Sequence, residues 1–123
     1  MHEVDKVRQP FNVSALSQAA AAAVLEDAWD AIREEVAGVV ARREALAKEL
    51  GAIDGFVVTP SDANFLWVGT PVPAEEAQAH LIRDKILVRS FHKSGGRLGA
   101  QLRITVGTAS DHERLLASLR RLR

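Results

Sequence analysis

The sequence predicts an α+β fold: long N-terminal helices and further helices packed on a small, mainly antiparallel sheet. Three observations carry that expectation. Apolar residues between Trp29 and Leu50 recur at intervals of three and four, the period of one helix face. In Gln101-Leu102-Arg103-Ile104-Thr105-Val106, apolar and polar residues alternate strictly, the period of a half-buried strand. Short strand-like runs and helical runs then follow one another as strand, strand, helix, strand, strand, helix.

Residues 1–13 read as an extended segment, because Pro10 biases Gln9 away from helix. Residues 14–51 read as helix, capped by Asn12 or Ser14. The Ala19 to Ala23 run has high helix propensity, and the pattern changes near Asp27 to Asp30, where a break is expected. Trp29, Ile32, Val36, Val39, Val40, Leu46 and Leu50 form a stripe expected to be buried, with Gly51 as C-cap. Phe56-Val57-Val58 and residues 63–68 read as strands separated by the turn Thr59-Pro60-Ser61-Asp62.

Residues 74–85 read as helix, with Ala74, Ala77, His80 and Leu81 on one face and Glu75 and Glu76 at the positive end. Residues 86–91 read as a strand, followed by a basic, glycine-rich loop over residues 92–100. The last helix is expected from Ser110, with Ser110-x-x-Glu113 as capping box and Leu115, Leu116, Leu119 and Leu122 facing the core.

The 123 residues suffice for one domain with one core. Sixteen basic residues balance sixteen acidic ones, which argues against a general nucleic-acid binder but leaves room for a local basic pocket. There is no cysteine, hence no disulfide framework and no thiolate chemistry. No run has the length of a membrane span, and the charged start MHEVDKVRQPFN has no apolar signal core. The loop at 92–100 lacks the Gly-x-x-x-x-Gly-Lys-Ser/Thr pattern, so it is no phosphate-binding P-loop. His80 has no partner at metal-ligand spacing, and no Ser-His-Asp constellation stands out.

What does stand out is a pair of arginines. If the strands at 86–91 and 101–106 pair antiparallel, Arg89 and Arg103 can share one face. Two adjacent guanidiniums repel unless an anion lies between them, and each is a rigid donor fork suited to carboxylate or phosphate. The plain alternative is two solvated arginines. For Asn64, a polar residue in an apolar strand, the plain alternative is a side chain satisfying nearby backbone or facing solvent.

A resemblance adds to this. Lys6-Val7-Arg8-Gln9-Pro10-Phe11-Asn12-Val13, the alanine-rich helix ending Leu25-Glu26-Asp27, Pro60-Ser61-Asp62-Ala63-Asn64-Phe65-Leu66, Ile86-Leu87-Val88-Arg89 and Leu102-Arg103-Ile104-Thr105-Val106-Gly107-Thr108 occur in this order. Together they resemble the C-terminal small domain of histidinol-phosphate aminotransferases, fold-type I enzymes that use pyridoxal phosphate.

The resemblance implies that residues 1–13 are a linker from a large domain outside this chain, and that 14–123 are the small domain. It implies that Arg103 grips the acidic group of the substrate, that Arg89 lies near the phosphate, and that Asn64 lies near the cleft. It further implies a homodimeric, cytoplasmic parent that moves an amino group between glutamate and imidazole acetol phosphate. The cofactor-binding lysine of such enzymes lies in the large domain. Lys6, Lys48, Lys85 and Lys93 are not in its Ser/Thr-x-x-Lys context. The expectation is therefore that this chain binds no pyridoxal phosphate and is inactive alone. A threonine-phosphate decarboxylase or aromatic aminotransferase is a near variant. The other readings are a free-standing small-anion-binding or interaction domain and a purely structural module. An apolar face including Val7, Phe11, Phe65 and Trp67 is expected to be exposed and to drive self-association.

Overall fold

Helix α1 (Ala15–Asp27) begins where Ser14 stops being helical: its hydroxyl accepts the Ser17 N–H at 3.1 Å. Ala28 leaves helical geometry, and α2 (Trp29–Gly51) follows at once, which is the expected break. The computed structural model describes residues 6–7 and 13–122, so most of the segment expected to be a linker, Phe11 included, lies outside the described residues. The chain divides into two units, 1–35 and 36–123, and the boundary falls inside α2.

In the first unit, α1 has no buried residue although it is apolar on every side; Leu16 and Leu25 are largely exposed. The expected buried stripe of α2 also needs correction. Trp29, Ile32, Val36 and Val40 are exposed, and burial starts only at Arg43, Leu46 and Leu50. The spacing marks an apolar face, but a face is buried only where something lies against it.

The second unit holds a four-stranded sheet of order β1-β2-β4-β3: β1 (Val57–Thr59), β2 (Phe65–Gly69), β3 (Arg89–Ser90) and β4 (Gln101–Thr105). Every neighbouring pair is antiparallel. Consequently β2 and β3 run in the same direction, with β4 inserted between them. Helix α3 (Ala74–Arg83) connects them, and α4 (Ala109–Leu119) follows β4. The α+β architecture is the one the sequence predicts.

The two-residue period of the strands sorts their side chains. Leu66, Val68, Leu102 and Ile104 turn to one face and are buried. Leu46 and Leu50 of α2, Ala74, Ala77 and Leu81 of α3, and Leu115, Leu116 and Leu119 of α4 close over them. The small residues Ala74 and Ala77 give α3 an apolar stripe with little bulk on the same face as Leu81.

Three local expectations change. Gly51 is the last residue of α2 rather than a left-handed cap; in the turn that follows, the glycine with positive φ is Gly55, at 79°, where a Cβ would come within 2.6 Å of the Pro71 ring. The strand at 86–91 is only two residues long, although Ile86 and Val88 still turn toward the core while Leu87 is exposed. The cap of α4 is Thr108, not Ser110. Thr108 accepts the Asp111 N–H at 3.2 Å, and Asp111 returns a bond to the Thr108 N–H at 3.0 Å.

Candidate functional site

The other face of the sheet carries the residues that the alternation turned away from the core. Arg103 stands on β4 between two buried neighbours, Leu102 and Ile104, which fix its backbone. Its register partner on β2 is Trp67 and on β3 is Arg89. The antiparallel pairing on which the two-arginine reading depended is therefore present, and the two residues are directly opposite.

Each guanidinium lies against an aromatic ring. The Arg103 guanidinium carbon is 5.3 Å from the Phe65 ring centre, and that of Arg89 is 5.4 Å from the Phe91 ring centre. Trp67 and Phe91 pack with ring centres 4.5 Å apart. These contacts, each worth about 0.5–1 kcal/mol at partly exposed sites, restrict the arginines without neutralising them. Like charges at paired positions of a sheet destabilise it. The Nε atom of Arg103 is buried and has no hydrogen-bond partner, and the same holds for Oε1 of Gln101, two residues earlier on the same face.

A cleft of about 450 Å³ opens beside the pair, with Arg89, Arg103, Gln78, Ser90 and Thr105 among its walls. Gln78 is committed to the Val88 carbonyl at 2.9 Å. Ser90 Oγ contacts His92 Nδ1 at 2.8 Å and accepts the His92 backbone N–H at 3.3 Å, an arrangement that closes a local turn. Glu75 lies 4.0 Å from the far nitrogen of His92, beyond hydrogen-bond range, so no catalytic triad is assembled.

Asn64 does not join the pair in the same way. It precedes β2, out of phase with Phe65 and Trp67, and is exposed. Its backbone carbonyl accepts the Val106 N–H at 2.9 Å, extending the β2–β4 ladder by one bond. Of the apolar residues expected to be exposed, Val7 is so, whereas Phe65 and Trp67 are half-buried beneath Arg103 and Phe91.

One buried charge escaped the sequence reading. Arg43 of α2 is 7% exposed and donates to the Ala63 carbonyl at 3.3 Å and to Glu44 Oε1 at 2.8 and 3.1 Å. An arginine within a helical run reads as a surface residue, and no local signal distinguishes it from Arg42.

The junction after β4 is held by groups whose protonation matters. The buried His112 accepts the Gly107 N–H on Nε2 at 3.1 Å, which requires that nitrogen to be unprotonated. Burial pushes the His112 pKa below 6.5. The hydroxyl and amide of Thr108 hold the Asp111 carboxyl below its usual value. Asp84, at the end of α3, accepts from Ser118 Oγ of α4 and from Arg121 at 2.6 Å; the Ser118 bond is the main reason its pKa is lowered.

A cofactor that forms a Schiff base needs a lysine at the substrate cleft. None of the residues lining the cleft of Arg89 and Arg103 is a lysine, and Lys6, Lys48, Lys85 and Lys93 are all exposed. The residues present thus do not fit pyridoxal phosphate by themselves. Among the described residues, no three His, Asp or Glu side chains gather as a metal site, and no helix is long and apolar enough to cross a membrane.

Residues 1–119 match the family model described as aminotransferase class I and II, and the chain belongs to that family. It is similar to a histidinol-phosphate aminotransferase of Aquifex aeolicus, 38% identical over 95% of this chain and 33% of the relative. It is also similar to histidinol-phosphate aminotransferase 1 of Burkholderia lata, 39% identical over 96% of this chain and 32% of the relative. The chain thus spans about a third of the length of these curated relatives. Among solved structures, the histidinol-phosphate aminotransferase from Clostridium acetobutylicum shares the fold, with a TM-score of 0.81 at 20% identity over 97% of this chain and 36% of that one. A putative aminotransferase from Burkholderia pseudomallei superposes with a TM-score of 0.79 at 30% identity, over 97% of this chain and 35% of that one.

Proposed function

We propose that this chain is the C-terminal small domain of a histidinol-phosphate aminotransferase-like enzyme, and that it contributes recognition of the substrate's acidic group. A third of a relative's length is matched, and the position of that third is part of the proposal. The observation that carries the recognition role is the register pairing of Arg89 with Arg103, two guanidiniums facing one cleft with an unpartnered Nε between aromatic supports. Enzymes of this family use pyridoxal phosphate, which serves as the electron sink for amino transfer when bound. On this reading the cofactor is held by a portion outside this chain, and residues 1–13 lead into that portion.

Arg103 supplies orientation and charge neutralisation rather than proton transfer. Its fork meets a carboxylate or phosphate, and Arg89 meets the same anion from the neighbouring strand. Asn64, just before β2 and out of phase with Phe65 and Trp67, borders the site through the entry to that strand rather than as a contact of the arginine pair. The substrates of the assembled enzyme would be glutamate and imidazole acetol phosphate, in a homodimer located in the cytoplasm.

Calorimetric titration of the chain with inorganic phosphate and with histidinol phosphate tests the reading, with Arg103→Ala as control. Binding that is lost in the variant supports it. Absence of heat in the unsubstituted chain overturns the claim that the arginine pair is organised here. Pyridoxal phosphate absorbance recorded in the same sample is expected to show no Schiff-base band.

A further inference from the structure

We propose that Arg43 is a positioning residue for the anion site, acting through the loop between β1 and β2. The inference rests on the reading of Arg89 and Arg103 as that site. An arginine side chain on a helix ordinarily lies in water, but that of Arg43 is only 9% exposed. Burying a permanent charge is unfavourable unless its donors are engaged, so an arginine in this place must be doing something specific.

Its partners say what that is. Nη1 donates to the Ala63 carbonyl, twenty residues away in sequence, at 3.3 Å. Glu44 Oε1 supplies the counter-charge at 2.8 Å, and the Asp62 carboxylate lies 4.0 Å away. Within the loop, Ser61 Oγ donates to the Phe65 carbonyl at 2.7 Å and accepts the Ala63 N–H at 3.1 Å. Arg43 and Ser61 therefore hold the same residue, Ala63, by its carbonyl and its amide.

From Ala63 the geometry leads straight to the site. Asn64 follows, with its carbonyl bonded to the Val106 amide at 2.9 Å. Phe65 comes next, pairs with Thr105, and presents the ring against which the Arg103 guanidinium rests. Release of the Ala63 carbonyl frees the entry to β2, and with it the ring that restricts Arg103. Arg43 touches neither substrate nor Arg103; its effect is transmitted by the loop.

The test compares Arg43→Gln and Arg43→Lys with Leu122→Ala, a substitution at the far end of the unit where Leu122 packs on the core. Phosphate affinity is measured by calorimetry at a temperature where each variant is folded by circular dichroism. Amide exchange of Val106 is followed by NMR without ligand. Arg43→Gln is expected to weaken phosphate binding about fivefold, the loss of roughly one hydrogen bond, and to speed Val106 exchange. Arg43→Lys, which keeps a donor and the charge, is expected to fall between Arg43→Gln and the unsubstituted chain. Leu122→Ala is expected to lower the melting temperature and leave phosphate affinity unchanged.

Should Arg43→Gln fail to fold, Arg43→Lys carries the comparison. Unchanged phosphate affinity and unchanged Val106 exchange in both Arg43 variants overturn the inference. If the unsubstituted chain binds no phosphate, the anion reading fails, and the exchange data alone decide whether Arg43 orders the loop.

Discussion

The two faces of one sheet behave as two different proteins would. On the core face, Leu66, Val68, Leu102 and Ile104 are at most 2% exposed and are covered by three helices. On the opposite face the intervening residues of the same two strands, Phe65, Trp67, Gln101 and Arg103, are half-buried; Arg103 rests on Phe65, Trp67 packs on Phe91, and two buried polar atoms have no partner. A finished face stabilises the fold; an unfinished one keeps polar groups and rings available to something else. The difference teaches where to look for function: not in the best-packed layer, but in the layer whose hydrogen bonds do not close.

The largest test of that contrast is truncation on either face. Leu66→Ala is expected to cost about 2–5 kcal/mol, because the core cannot collapse around the cavity. Trp67→Ala, its immediate neighbour on the other face, removes a larger side chain yet is expected to cost only about 1–2 kcal/mol, since that face is partly open and water can fill the space left. Urea denaturation of both variants measures the difference, and equal losses would erase the distinction between the faces.

Cap removal comes next. Thr108→Ala is expected to lower stability by about 1 kcal/mol, whereas Ser110→Ala is expected to leave it nearly unchanged. Thermal melts of the two variants check the reassignment of the α4 cap.

The arginine pair is expected to move stability in the opposite sense. Arg89→Ala removes a like-charge contact and is expected to stabilise the chain by about 0.2–1 kcal/mol at low salt. Phosphate is expected to raise the melting temperature of the unsubstituted chain more than that of the variant. A destabilised variant with undiminished phosphate response would show that the pair is structural.

The smallest effect is a pH dependence confined to the core side. The folded chain holds His112 neutral, with its pKa below 6.5, so the unfolded chain takes up the proton first as pH falls. The contribution is fully present above pH 6.5 and declines below it until the folded pKa is reached. Asp84 and Asp111 act lower: their folded pKa values lie below 3.8, so their contributions are present above that value and lost as pH falls through the folded ones. Unfolding curves of the unsubstituted chain and His112→Gln at about pH 7.5 and about pH 5.5 isolate the histidine, and a loss of equal size in both would assign it elsewhere.

Periodicity was legible in the residues, because it reports which side chains avoid water. The alternation at 101–106 put Leu102 and Ile104 inside and Arg103 outside, and the change of pattern near Asp27 located the break at Ala28. Choices between chemically equivalent neighbours were not legible. Thr108 and Ser110 both offer a hydroxyl, and the end of β4 together with Asp111 selected Thr108. Gly51 and Gly55 both lack a side chain, and the approach of Pro71 selected Gly55 for the left-handed turn.

By itself, the sequence determined the element order, the inward and outward residues of the strand at 101–106, and the resemblance on which the functional reading began. Only the tertiary structure decided which apolar faces are covered, leaving Trp29, Ile32, Val36 and Val40 exposed while burying Leu46 and Leu50. It alone placed Arg89 opposite Arg103, and it alone drew Arg43 onto Ala63. The physical reason is the same in each case. A side chain's preference for water is a local property written in its chemistry, whereas a partner is a matter of register and distance between segments far apart in the chain.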